Sequence, residues 1–232
     1  MYERVEWKGK LYPRLRATMA QGEHAVVIAP TGRGKTVLMQ QINPLRSHSV
    51  FFGTKTYDDE YLRLEREYGF KRAQKWPAHP AWSKVLLWPD GGTTMKETRD
   101  IQRGVFEHAI NKIFKSGRWS LCFDELHWMT DKLGLYDDIA HLHHQGRSSK
   151  LTCYDGFQRP AFVPVIVYSS ATHIFVWGTN YKADLDKLSS VAKLDALSKR
   201  DLAVLMGGLG KHEFVYVNVT DNRPPIISKV AR

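Results

Sequence analysis

The chain has 232 residues, 43% hydrophobic and 25% charged, as in folded globular proteins, and its apolar runs fall far short of the roughly 20 residues that cross a bilayer. Lys and Arg outnumber Asp and Glu by 34 to 24, a formal net charge of +10 that points to an anionic partner, nucleic acid foremost. Cys122 and Cys153 both lie in apolar runs, which excludes a disulfide framework; with a mixed-charge start lacking a signal-peptide core, this sets the expectation of a cytoplasmic protein.

Residues 1–21 are polar and basic and read as an N-terminal extension packed over the outside of one domain spanning 22–232. Strands are predicted at Ala25–Ile28, Ser49–Gly53, Val85–Trp88, Leu121–Phe123, Leu151–Tyr154 and Ile174–Trp177. Helices are predicted at Tyr57–Glu67, Lys96–Ser116, Ile139–Gln145 and Lys182–Lys193. Several strands are continuously apolar, as in a parallel sheet covered on both faces, and the β/α alternation points to a wound α/β fold. The stretch Val163–Tyr168 suits a strand or, with Pro164 at its start, a short helix. Near the end, Glu213–Val217 and Ile226–Val230 flank Asp221-Asn-Arg-Pro-Pro225 and read as a β-hairpin within about 212–232. The Pro- and Trp-containing loop Ala73–Lys84 is the best candidate for an irregular insertion.

The chemistry starts at Ala29-Pro30-Thr31-Gly32-Arg33-Gly34-Lys35-Thr36, between an apolar strand and a helix start. Gly32 and Gly34 allow a loop whose N–H groups converge at the positive end of the following helix, a cradle for phosphate. Lys35 can reach the β- and γ-phosphates of ATP, and the Thr36 hydroxyl can ligate Mg²⁺. The first glycine of the motif is replaced by Ala29. Asp124 and Glu125, closing the buried strand at Leu121–Phe123, supply a carboxylate for Mg²⁺ and a base for the attacking water. This adjacent pair argues for hydrolysis of the nucleotide.

The motifs downstream resemble the FtsK/HerA superfamily of DNA-pumping ATPases. They are Gln145-Gly-Arg147, Leu151–Tyr154, Phe157-Gln-Arg-Pro160, Val163-Pro164, Ala171-Thr-His-Ile-Phe175 and Asp184-Leu185, in that order. The resemblance covers roughly Gly22–Val191 and implies a RecA-like P-loop NTPase, with a mainly parallel sheet flanked by helices and the C-terminal hairpin added. It implies that Gln158 is a polar sensor near the γ-phosphate, although Phe157 replaces the usual Thr or Ser. It implies that Arg147 reaches into a neighbouring subunit's site, with Arg159 and Arg200 as alternatives, and it favours a helix over Pro164–Ser170. The implied partners are double-stranded DNA, further copies of the chain in a hexameric ring, and a capsid portal vertex or other assembly proteins if the protein serves a virus in its host's cytoplasm. The alternatives are a conjugation- or secretion-type ATPase, and a slow ATP-dependent assembly switch.

Three further features carry less. His127, His141, His143 and His144 lie where neighbouring side chains point apart, and no cysteine accompanies them, which favours a helix face over a metal cluster. Lys71, Arg72, Lys75 and Lys84 with Trp76 and Trp82 suit either DNA contact or a loop whose tryptophans cover the core edge. Lys55 follows the second strand and has no assigned role.

Overall fold

A computed structural model describes residues 2–191 and 193–230. Ten strands form one sheet: β1 (Arg4–Glu6), β2 (His24–Ile28), β3 (Ser49–Phe52), β4 (Lys71–Ala73), β5 (Lys84–Leu87), β6 (Ser120–Phe123), β7 (Thr152–Phe157), β8 (Ala171–Trp177), β9 (Glu213–Asn218) and β10 (Ile226–Lys229). The helices are α1 (Tyr12–Thr18), α2 (Lys35–Ile42), α3 (Asp59–Tyr68), α4 (Met95–Ser116), α5 (Tyr136–Gln145), α6 (Val165–Ser170), α7 (Lys182–Leu188) and α8 (Lys199–Gly207).

The strand order is β1-β10-β9-β8-β2-β7-β6-β3-β5-β4. Every neighbour from β8 to β4 is parallel, whereas β9 is antiparallel to both β8 and β10. The central strands β2, β6, β7 and β8 are buried at every position, which explains their unbroken apolar runs. One face packs against α1–α3 through residues such as Leu15, Leu38 and Leu64. The other packs against α4–α8 through Phe106, Leu142, Val167, Leu188 and Met206.

Local chemistry sets the helix ends. Thr94 and Glu97 form a reciprocal capping box at the start of α4, and the Asp58 carboxylate accepts from the Glu60 N–H at 2.8 Å to open α3. Pro164 caps α6, so the helical reading of this stretch is the observed one. The helix predicted to reach Lys193 ends at Leu188. There the Ser189 and Ser190 hydroxyls donate back to the Asp186 and Lys187 carbonyls, each at 2.7 Å, and compete with the helical ladder.

Residues near the N-terminus are woven into the fold instead of lying over it. β1 runs parallel to β10, and Trp7, Leu11 and Leu15 are buried because they pack beneath β8–β10 and α2. β7 extends three residues beyond its predicted end at Tyr154, because the polar Asp155 and the glycine at 156 are both buried in the ladder. At Gly156 a Cβ would run into the Asp124 carbonyl oxygen, so only glycine fits between β6 and β7. The basic stretch at 71–73 is edge strand β4, and Trp76 and Trp82 pack against the core, the covering role that was one of the two alternatives.

Candidate functional site

β2, β6 and β7 are parallel neighbours or next-neighbours, so the residues after their carboxyl ends meet at one edge of the sheet. The phosphate loop follows β2, Asp124-Glu125 follows β6, and Gln158 follows β7. Crevices at this edge are where open α/β sheets bind ligands. Here the crevice is a cleft of roughly 400 Å³, lined by Thr31, Gly32, Lys35, Thr36, Glu125 and Gln158.

The loop meets the backbone demands expected of it. Gly32 and Gly34 take φ values of +75° and +104°, in the left-handed region that glycine tolerates. Ala29 has no such requirement. Its N–H donates to the Phe157 carbonyl at 3.0 Å, continuing the ladder between β2 and β7, so alanine replaces the motif's first glycine without strain. α2 opens at Lys35 directly behind the loop.

Lys35 is the hub. Its ammonium donates to the Asp124 carbonyl, lies 3.2 Å from Asp124 Oδ1 and lies 3.1 Å from Glu125 Oε1. The Thr36 hydroxyl donates to Asp124 Oδ1 at 3.1 Å. The Gln158 amide donates to both oxygens of Glu125 at 3.2 Å. Burial pushes the Asp124 carboxyl up, but the Lys35 and Lys55 charges and the bonds from Lys35 and Thr36 outweigh it and hold the group below the usual carboxylate range. Asp124 is therefore anionic at neutral pH. Two hard oxygen donors, the Thr36 hydroxyl and this carboxylate, stand together in a form that suits Mg²⁺.

The cleft also contains residues without a predicted role. Lys55 follows β3, bridges to Asp58 Oδ2 at 2.5 Å and approaches Asp124 Oδ2 at 3.5 Å. Burial lowers its ammonium pKa, and Asp124 and Asp58 more than restore it, so Lys55 remains charged. His212 Nδ1 lies 3.1 Å from the Arg33 carbonyl, and Val230 sits against Gly34. Their proximity depends on the β9–β10 hairpin folding back over the loop, which no local sequence signal could announce.

Arg147 does not join this cluster. It follows α5 and precedes β7, at the amino edge of the sheet, where its charge acts on Glu23 and His24. The six residues of β7 separate it from Gln158, a span of roughly 20 Å. Its side chain is exposed. Arg159 stays beside the cleft, paired with Asp184 at 3.3 Å and stacked on Tyr181, whereas Arg200 is exposed on α8. Of the histidines weighed as a cluster, His127 stacks on Phe162, His141 meets Phe114 edge-on, His144 is exposed, and only His143 is buried.

The architecture matches known structures over nearly its whole length. The genome-packaging NTPase B204 of Sulfolobus turreted icosahedral virus 2, solved with sulfate, aligns at TM-score 0.61 and 16% identity over 90% of this chain and 97% of that one. The DNA-packaging ATPase B204 of Sulfolobus turreted icosahedral virus aligns at TM-score 0.65 and 16% identity over 92% and 100%. The chain has the fold of a P-loop NTPase. VirB4 of Thermoanaerobacter pseudethanolicus shares this NTPase fold at TM-score 0.60 and 10% identity, over 90% of this chain and 89% of that one. No protein-family model and no curated protein matches the sequence. Among the described residues, no helix is long and apolar enough to cross a membrane.

Proposed function

We propose that the chain is an ATP-hydrolysing ring motor that translocates double-stranded DNA, in the manner of a viral genome-packaging ATPase. The observation that carries this reading is the convergence of Lys35, Asp124, Glu125 and Gln158 at one end of the central strands. The likeness in fold and size to two packaging NTPases supports it. ATP would place its phosphates over Ala29–Thr36, with Lys35 turning from Asp124 and Glu125 to the β- and γ-phosphate oxygens. Thr36 and Asp124 would hold Mg²⁺, which neutralises charge on those phosphates. Glu125 would take a proton from water as the water oxygen bonds to the γ-phosphorus and the bond to the bridging oxygen of ADP breaks, giving ADP and phosphate.

Arg147, about a strand's length from its own cleft, would act in a neighbour's site, where a guanidinium would stabilise charge on the transferring phosphoryl group. This makes assembly, as a hexamer in this reading, part of catalysis. The surplus of 10 positive charges suits a partner recognised through its phosphates. Capsid portal or other assembly proteins would dock the ring, within the cytoplasm of the host.

ATP hydrolysis measured with and without duplex DNA, alongside sedimentation in saturating ATP, tests the reading. Hydrolysis stimulated by duplex DNA and a ring-sized species are expected; an unstimulated monomer overturns it. A conjugation- or secretion-type ATPase is the second reading, favoured by the VirB4 likeness and by TcpA of pCW3, a conjugation coupling protein with the same fold at TM-score 0.56. Stimulation by single-stranded DNA alone would select it.

A further inference from the structure

We propose that His143, Cys153 and Asp155 form a buried site for a divalent metal ion of the zinc type, on the face of the sheet covered by α5. Their ligand atoms, one nitrogen, one sulfur and a carboxylate oxygen, all lie within 4.8 Å of one another, and all three residues are buried. Cys153 and Asp155 are two residues apart on β7 and so share a face, onto which α5 lowers His143.

The tautomer of His143 decides what faces the carboxylate. The Ser170 hydroxyl donates to the Val167 carbonyl at 3.2 Å, so it accepts from His143 Nδ1–H at 2.8 Å. That leaves Nε2 as a bare lone pair, 3.4 Å from Asp155 Oδ2. Nε2 and both Asp155 oxygens have no hydrogen-bond partner, and the Asp155 side chain is 0% exposed. Acceptors facing one another in an apolar interior are costly unless a cation lies between them.

A proton on Nε2 would satisfy one carboxylate oxygen and leave the other orphaned. A zinc-type ion would draw on three ligands, the nitrogen, the sulfur and the carboxylate, with one tetrahedral position left over. Its two positive charges are cancelled by the thiolate and the carboxylate, so nothing net is buried. Zinc bonds of about 2.0–2.3 Å put neighbouring donors about 3.3–3.8 Å apart. The His143–Asp155 separation of 3.4 Å already fits that span. The donor pairs at up to 4.8 Å would close by about 1 Å, within the reach of the Cys153 side-chain torsion. Ser170 supplies the outer-shell bond that ligating histidines commonly make. His24 lies beside the site, its ring 5.0 Å from that of His143, but it is not a ligand. Its Nδ1 accepts from the Cys153 N–H at 3.0 Å, which leaves the hydrogen on Nε2.

The untagged chain, expressed with zinc and separately with Co²⁺ in the medium, is assayed for metal per chain by mass spectrometry. The cobalt form is scanned for a near-ultraviolet thiolate-to-cobalt band. About one metal per chain and a clear thiolate band are expected. Cys153→Ser and His143→Ala should each lower occupancy by at least about tenfold, and Cys153→Ser should remove the band. Cys122→Ser, on the opposite face of the sheet, should keep both, and this variant still reads the site if the other two fail to fold. A folded wild-type chain without metal or band in either preparation overturns the proposal, as does a band abolished by Cys122→Ser and kept by Cys153→Ser.

Discussion

The Gln158 side-chain amide donates to both carboxylate oxygens of Glu125, at 3.2 Å each, while the Lys35 ammonium donates to Glu125 Oε1 at 3.1 Å. The proposed base is thus oriented by two elements, the end of β7 and the start of α2. Glu125→Gln should preserve ATP binding and reduce turnover by about 10²–10⁴-fold, the range for loss of a positioned base. Nucleotide binding by fluorescence and phosphate release measured on one preparation check this; normal turnover in Glu125→Gln would show that another group activates the water.

Lys35→Ala should weaken ATP binding and halt turnover together, since the ammonium would contact the phosphates in both ground and transition states. It also leaves Asp124 with one cation, Lys55, where it had two. Lys55→Ala should therefore act in the same direction but less strongly. Titration calorimetry with a non-hydrolysable ATP analogue ranks the two. A Lys55→Ala protein binding more weakly than Lys35→Ala would reverse the assignment.

Arg147 provides a test of assembly. Arg147→Ala should lower turnover by about a thousandfold without changing nucleotide binding to isolated subunits. Mixing Arg147→Ala with Glu125→Gln subunits should restore part of the activity, because some interfaces then pair an intact base with an intact arginine. If no mixture recovers activity, Arg147 does not act across an interface.

His24 gives the fold a pH dependence. Burial, with the nearby Arg147 charge, pushes its pKa down to about 3, against an ordinary value near 6.5. The unfolded chain therefore binds a proton below about pH 6.5 that the folded chain refuses, and stability falls as pH falls. From pH 6.5 to 5, above the range where most carboxylates titrate, the loss should approach about 1 kcal/mol per pH unit. Urea melts across that window measure it. His24→Asn, which keeps an acceptor for the Cys153 N–H, should flatten the slope.

Gly34 is the tightest point of the phosphate loop. A Cβ there would lie 2.7 Å from Val230 Cγ1, on a backbone with φ of +104°. Gly34→Ala should cost more than about 1 kcal/mol. Val230→Ala relieves the clash but not the φ strain, so the double variant should recover only part of the loss in thermal melts.

The part of this cleft built from Lys35, Asp124, Glu125 and Gln158 was legible because each lies in or beside a local sequence pattern. A strand, a glycine loop and a helix start are contiguous in sequence, and Asp124-Glu125 and Gln158 each directly follow an apolar strand. Lys55 stood in the same kind of place, but a single lysine after a strand names no chemistry. His212 and Val230 come from the hairpin, and nothing near them in sequence mentions the phosphate loop. The histidines show a different limit. Their sequence spacing argued against a metal cluster for all four, but Cys153 and Asp155 meet His143 through the packing of α5 on β7, which spacing along the chain does not show. β1 and β4 were missed because edge strands of three residues carry little periodicity.

The pairing of β1 with β10 joins Arg4 to Ile227 across more than 200 residues, and the same strand brings Val230 to the phosphate loop. The end of the last strand therefore supplies part of the wall of a cleft built mainly from residues near the start of the chain. Without β10 the open edge of the sheet would be β9, and the loop would lose its contact with Val230. Loss of β10 would thus be felt at the phosphate loop as well as at the edge of the sheet.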